Sequence, residues 1–329
     1  MLYDVHRIDE KSWHTKTSYL SLDTSFLDSY HPVPFFTDNL TRSPTHTHKL
    51  GALRTHSHTQ TPRMKRTLEV CVDNADDLAA AVAGGAGRIE LCAALGVGGL
   101  TPAGSLMRRA GVLQRHTGVP VYAMVRPHAG GDLAWSVADT AQMLDDIDCA
   151  RDAGLAGVVL GACCLPAPAS GGGTQQLLDM ATLRLLAARA RSAGLGTTLH
   201  RAFDLAVSVD PDADADAGAR VAEAVAAAVE LGFERILTSG GRATAAEGLA
   251  VLRRARAAAR GRIAIMPGAG IHAGNAALFA EFDQLHASCS VPVPVPAGGS
   301  RGLELGFGEQ RVLSPASLRD LLAAMDAMP

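Results

Sequence analysis

The chain has 329 residues, enough for one large domain or two small ones, and 47% of them are apolar, ample for a sizeable core. A net charge near −3 leaves no electrostatic footprint for nucleic acid or an anionic membrane surface. No apolar run approaches the roughly 18 residues of a membrane helix, and no signal-peptide core stands at the N-terminus.

Residues 1–63 contain one Ala and one Gly but seven of the twelve His. They show neither helical nor strand periodicity, so a disordered extension is expected, with Met64 as the expected natural start. Its "THTHK" and "HSH" runs offer weak metal donors. The plainer reading is a tail with no folded role.

From "MKRTLEVCVD" (64–73) onward the composition turns to Ala, Gly, Leu and Val, and a folded domain is expected over 64–329. Strands are predicted at 67–72, 88–92, 120–125, 156–160, 196–200, 234–238, 262–266 and 282–286. Helices are predicted near 75–83, 103–116, 137–153, 179–193, 218–231, 244–259, 272–280 and 315–327. Eight β-then-α units within about 260 residues point to an α/β fold, a (β/α)8 TIM barrel. The rival, a doubly wound open sheet, usually has fewer strands, and no G-x-G-x-x-G follows the first strand.

Each strand of a barrel points alternate residues outward to the helices and inward. The first strand keeps Leu68, Val70 and Val72 on one face and Glu69, Cys71 and Asp73 on the other, so the polar set faces inward. By the same rule "RIELC" turns in Arg88, Glu90 and Cys92, the third strand ends at Arg126, the fifth offers Thr198 and His200, and the eighth Gln284 and His286. Buried charges persist only when paired or bound. A plain internal salt-bridge layer, with Arg88 and Arg126 neutralising Glu69 and Glu90, accounts for part of this set.

The remainder lies at strand C-terminal ends, where barrel enzymes build their sites. "LHRAFD" places His200, Arg201 and Asp204 after the fifth strand, while "LTSGG" and "MPGAGI" put glycine-rich turns after the sixth and seventh. A pocket for a small anionic ligand follows. Arg126, Arg201, Ser239 and His286 would line it, and the backbones of Gly240, Gly241, Gly268 and Gly270 would reach its oxygens. Glu90, His200 and Asp204 are the candidate catalytic groups.

Two other stretches invite functional readings. "DADADAGARVAE" (212–223) mimics a calcium loop but lacks the glycine that its sharp turn requires, so an acidic loop entering a helix is the better reading. "VPVPVPAGGS" (291–300) is a Pro-rich connection where no helix can run. The six cysteines lack disulfide-framework spacing and read as reduced thiols of a cytosolic protein.

Taken in order, "LEVCVD", "RIELC", "GGLTPA", "MVRP", "LHRAFD", "RILTSGG", "IMPGAGI" and "LHAS" resemble the CutC family, long labelled copper homeostasis proteins, over about residues 66–328. The resemblance implies a barrel, a cytoplasmic location, a homo-oligomer and Cu(I) as cofactor or cargo, held by a cysteine pair that carries over to Cys71 and Cys92. Both should point inward from adjacent strands, where two thiolates suit a soft ion. Cysteine also serves as a small buried hydrophobe, and that alternative stays open. The sequence departs from the family pattern at "RPHAGGD", with His128, and at the adjacent Cys163 and Cys164.

Two functions therefore compete. One is cytosolic Cu(I) handling; the other is an enzyme of unassigned reaction on a small anionic substrate, phosphorylated compounds included. Copper needs only the two thiols and leaves Arg126, His200, Asp204 and the glycine turns unexplained.

Overall fold

The computed structural model describes residues 66–165, 176–208, 217–294 and 310–329. The extension 1–63, the first five residues of the acidic 212–223 stretch, and most of the Pro-rich 291–300 stretch lie outside the described residues.

Eight parallel strands form the barrel: β1 Thr67–Val72, β2 Arg88–Leu91, β3 Val121–Met124, β4 Gly157–Leu160, β5 Gly196–Leu199, β6 Arg235–Thr238, β7 Ala264–Pro267 and β8 Gln284–Ala287. Hydrogen-bonded pairing runs β8-β1-β2-β3-β4-β5-β6-β7, and β7 and β8 lie side by side to bring the ends together. The helices are α1 Ala75–Ala83, α2 Gly104–Thr117, α3 Val137–Asp152, α4 Met180–Ser192, α5 Ala202–Val207, α6 Ala217–Leu231, α7 Leu249–Ala259 and α8 Pro315–Ala327.

Local chemistry fixes several helix starts. Asn74 accepts from the Asp77 N–H at 2.8 Å ahead of α1, and Ser136 and Asp139 cap each other ahead of α3. Asp179 accepts from the Ala181 and Thr182 amides ahead of α4, and Ser314 followed by Pro315 opens α8. The predicted helix at 272–280 is instead a turn and a short 3-10 segment, Ala276–Phe279. Asn275 explains the change: its side chain accepts from the His272 N–H and donates to the Gly270 carbonyl, holding a turn where a helix would begin.

Two apolar clusters lie on opposite faces of the sheet. The larger joins Leu68, Val70, Ile89, Leu91 and Val158 to the helices, and the smaller, inside the barrel, is Cys92, Tyr122, Met124 and Val159. Much of the remaining interior is polar, as the strand alternation predicts, with Leu237 at the cavity and Met266 beside Arg88 as apolar exceptions. Glu69 is wholly buried, bonded by Arg88 Nε and by His286 Nδ1 at 2.9 Å, while Arg88 also donates to Gln284 at 2.6 Å.

At the N-terminal end of the strands Tyr122 fills the floor. The Arg235 guanidinium lies 4.5 Å from its ring centroid and the phenol donates to Glu234 at 2.8 Å. Glycines make room for the ring: a Cβ at Gly196 would come within 2.5 Å of the Tyr122 hydroxyl, and Gly157 is crowded by the same ring.

Replacing Arg88 by Met leaves Glu69 without its guanidinium and is expected to lower the unfolding free energy by about 3–5 kcal/mol. Urea melts followed by circular dichroism measure it; a loss under about 1 kcal/mol would mean that the ion pair does not govern the interior.

Candidate functional site

Above the floor, at the C-terminal ends of the strands, lies a cavity of about 610 Å³, within the size range of small-molecule sites. Its walls include Cys71, Glu90, Arg126, His200 and His286, so the structure gathers predicted residues from five strands around one space.

Strand register decides which of them share a level. Cys71 pairs with Glu90 across β1 and β2, and Glu69 pairs with His286 across β1 and β8. Cys92 stands two residues farther along its strand than Glu90, about 6.6 Å at the usual rise. Both thiols point inward from adjacent strands as expected, but they occupy successive levels. Cys71, Glu90 and His286 bring one ligand atom each to within 4.8 Å of one another, all buried. Cys92 falls outside that trio, and its thiol donates to Glu90 Oε2 at 3.7 Å.

The charges at this level are tightly linked. Burial alone would raise the Glu69 carboxyl, yet the hydrogen bond from His286 and the charge of Arg88 hold it at about 2. Among the described residues no guanidinium is bonded to Glu90, and burial, with Glu69 adding repulsion, lifts it to about 7. His286 is driven up despite its burial, by the charges of Cys71 and Glu90 and by its bonds to Cys71 and Glu69. Burial and the neighbouring Glu90 push the Cys92 thiol up as well.

Arg126 does not neutralise Glu90, contrary to the salt-bridge expectation. The residue level with Glu90 is Tyr122, so Arg126 stands four residues, about 13 Å, farther along β3. There its guanidinium donates to the carbonyls of Val97 and Gly99, each at 2.9 Å, and of Gly130 at 2.8 Å. It therefore ties two loops together at the mouth.

His200 follows β5. Its Nδ1 accepts from the Ala202 N–H at 3.1 Å, which leaves the proton of the neutral ring on Nε2. Burial, reinforced by the Arg126 charge, lowers it to about 4. Gly161 on the neighbouring strand leaves the ring its space, since a Cβ there would overlap the imidazole. The Gly161 carbonyl accepts from Trp135 Nε1 at 2.8 Å, and the unexpected His128 packs edge-on against that indole.

Asp204, on α5, is surrounded by donors: Thr238 Oγ1 at 2.5 Å, the amides of Ser239 and Gly241 at 3.1 and 3.0 Å, and Arg201 Nε at 2.7 Å. Arg201 also donates to Ser239 Oγ at 2.8 Å. The amides of Gly240 and Gly268 go to Thr238, through its hydroxyl and its carbonyl respectively. Of the four predicted glycines, Gly270 lines the cavity. Cys163 donates to the Ala202 carbonyl at 3.5 Å and pairs with Leu178 in a small hairpin.

Three buried side-chain atoms at the cavity have no protein partner among the described residues: Glu90 Oε1, Arg126 Nε and His200 Nε2. Native interiors rarely leave such groups unmatched, so they mark where a ligand or solvent belongs. Sequence reasoning missed Arg235 and Tyr122. Arg235 was recoverable from the alternation in "RILT", which turns Ile236 outward and Arg235 inward.

Comparison with known proteins agrees with this architecture. The model for the CutC family matches residues 66–291. A family protein CutC from Sinorhizobium medicae (strain WSM419) is 49% identical over 266 residues, covering 79% of this chain and 96% of that relative. One from Caulobacter vibrioides (strain NA1000 / CB15N) is 42% identical over 266 residues, covering 79% and 97%. Among solved structures, the CutC of Streptococcus agalactiae, a protein named for copper homeostasis, superposes with a TM-score of 0.57 at 26% identity, covering 68% of this chain and 98% of that one. The chain belongs to the CutC family.

Proposed function

We propose that this protein serves copper homeostasis by taking up Cu(I) as cargo at Cys71 and Cys92. The observation that carries the reading is the pair of buried, unbridged thiols pointing inward from adjacent strands, Cys71 at the cavity wall and Cys92 in the interior cluster with Met124. Thiolates are the preferred donors of Cu(I), and the chemistry of this pair fits it. The name of the Streptococcus agalactiae protein supports the same reading. We place the protein in the cytosol, where its thiols stay reduced, as a homo-oligomer, following the family resemblance. Among the described residues no helix is long and apolar enough to cross a membrane.

A second reading rests on the three unmatched polar atoms. Copper held by two thiols leaves Arg126 Nε and His200 Nε2 without a partner, whereas a small anionic substrate would accept from both. In that reading Glu90 is the acid or base, because its buried carboxyl titrates near neutral pH. Asp204 and Arg201 position the loop after β6.

An anaerobic Cu(I) competition titration against a chromophoric chelator tests the first reading. Tight binding by the parent that disappears in the Cys71→Ser/Cys92→Ser double variant is expected; equal binding by both would remove copper from the account.

His200 gives a pH signature. Its buried ring takes a proton at about pH 4, below the 6.5 of an unfolded histidine. Its contribution to stability is therefore complete above pH 6.5, declines as pH falls toward 4, and levels off below. The steepest loss is about 1.4 kcal/mol per pH unit. Unfolding free energies of the parent and His200→Gln, measured from pH 7.5 to 4, should converge as pH falls, and parallel curves would mean that His200 is not held neutral.

A further inference from the structure

Beyond a cysteine pair for copper, the geometry points to a second kind of metal site in the barrel interior: we propose that Cys71, Glu90 and His286 form a three-donor site for a zinc-class divalent cation, with its remaining coordination position open to the cavity. The three donors come from β1, β2 and β8, and their ligand atoms lie within 4.8 Å of one another. Zinc-class ions combine thiolate, imidazole and carboxylate donors, and sites that do chemistry use three protein ligands and leave a fourth place free.

Three independent features support the assignment. The first is orientation of the histidine. Glu69 Oε1 holds His286 Nδ1 at 2.9 Å, which leaves Nε2 facing Glu90 Oε2 at 3.7 Å. A carboxylate behind a ligating imidazole is the usual outer support of such sites, and Glu69 is itself held in place by Arg88. The second is the unmatched Glu90 Oε1, buried at a cavity wall. A carboxylate with a free oxygen beside a thiol and an imidazole has the donor that a cation requires.

The third feature is charge. As metal ligands Cys71 and Glu90 bind deprotonated and His286 binds as a neutral imidazole, with the displaced protons released to solvent, so the donor set of the filled site carries two negative charges. A divalent ion cancels them, whereas a monovalent ion leaves one negative charge buried. The donor set therefore favours a divalent ion at this trio.

The two metal readings share Cys71 and separate at Cys92. Cys92 is a ligand for Cu(I) in the copper reading and only a neighbour of Glu90 in this one. Arg126 Nε and His200 Nε2 are also unmatched, and their residues line the same cavity as the trio.

The test is an anaerobic titration of the full chain with Co(II), a spectroscopic stand-in for zinc, read by its thiolate-to-cobalt absorption and its visible ligand-field bands. A single equivalent with a thiolate band is expected, and Cys71→Ser should abolish that band. His286→Ala and Glu90→Gln should each weaken binding at least about tenfold, while Cys92→Ser stays within about threefold of the parent. Absence of the thiolate band in the parent, or its loss in Cys92→Ser, overturns the proposal.

Glu90 and His286 are buried, so loss of binding in their variants is separated from loss of the fold by X-ray absorption of the zinc-loaded parent, a measurement without substitution. One sulfur at about 2.3 Å with nitrogen and oxygen at about 2.0–2.2 Å supports the site; two sulfurs overturn it. Cu(I) binding that vanishes in Cys92→Ser while Co(II) binding persists would uphold both readings. Cu(I) binding unchanged in Cys92→Ser would remove the copper pair and leave the divalent site standing.

Discussion

A fully buried carboxylate is the constraint on which this barrel turns. Glu69 sits inside the sheet with no exposed surface, and an unpaired charge there would be untenable. Its two oxygens recruit Arg88 from β2 and His286 from β8, so the first, second and last strands are bound by charge as well as by their ladders. Replacing the set with packed aliphatic residues would be expected to match or exceed its stability. What the ionic version supplies is orientation: His286 is held with its second nitrogen toward Glu90 and the cavity.

Much of this is legible in the sequence alone. Alternation within strands as short as "RIEL" assigned an inward face correctly, because a one-residue slip would have turned Ile89 and Leu91 away from the helices. Register between strands was not legible. The turns that join parallel strands set it, and nothing in "LEVCVD" and "RIELC" places Cys71 opposite Glu90 while Cys92 stands two residues on. The partners of Arg126 were equally hidden, since carbonyls of Val97, Gly99 and Gly130 carry no side-chain signature. "LHRAFD" concealed a short helix, α5, whose Asp204 binds the loop after β6.

The site combines two chemistries that are usually discussed apart. The thiols suit a soft ion, whereas the ring of donors above them suits an oxygen-bearing ligand. Cys71 belongs to both groupings because β1 places it level with Glu90 and beside the cavity. His200 and Arg126 serve from higher up, one fixed by a backbone amide and the other by three carbonyls, so neither depends on the metal-capable trio for its position.

The aromatic floor has a consequence for traffic. Tyr122, admitted by the missing side chains of Gly157 and Gly196 and covered by Arg235, stops the lower end of the barrel. Among the described residues the cavity wall that holds Cys71 lies above this floor, so a ligand for Cys71 arrives from the C-terminal side of the strands, where Arg126 ties two loops together. Arrival and escape on that side pass the same loops, so a change in them would alter both rates together and leave the equilibrium affinity at the base nearly untouched.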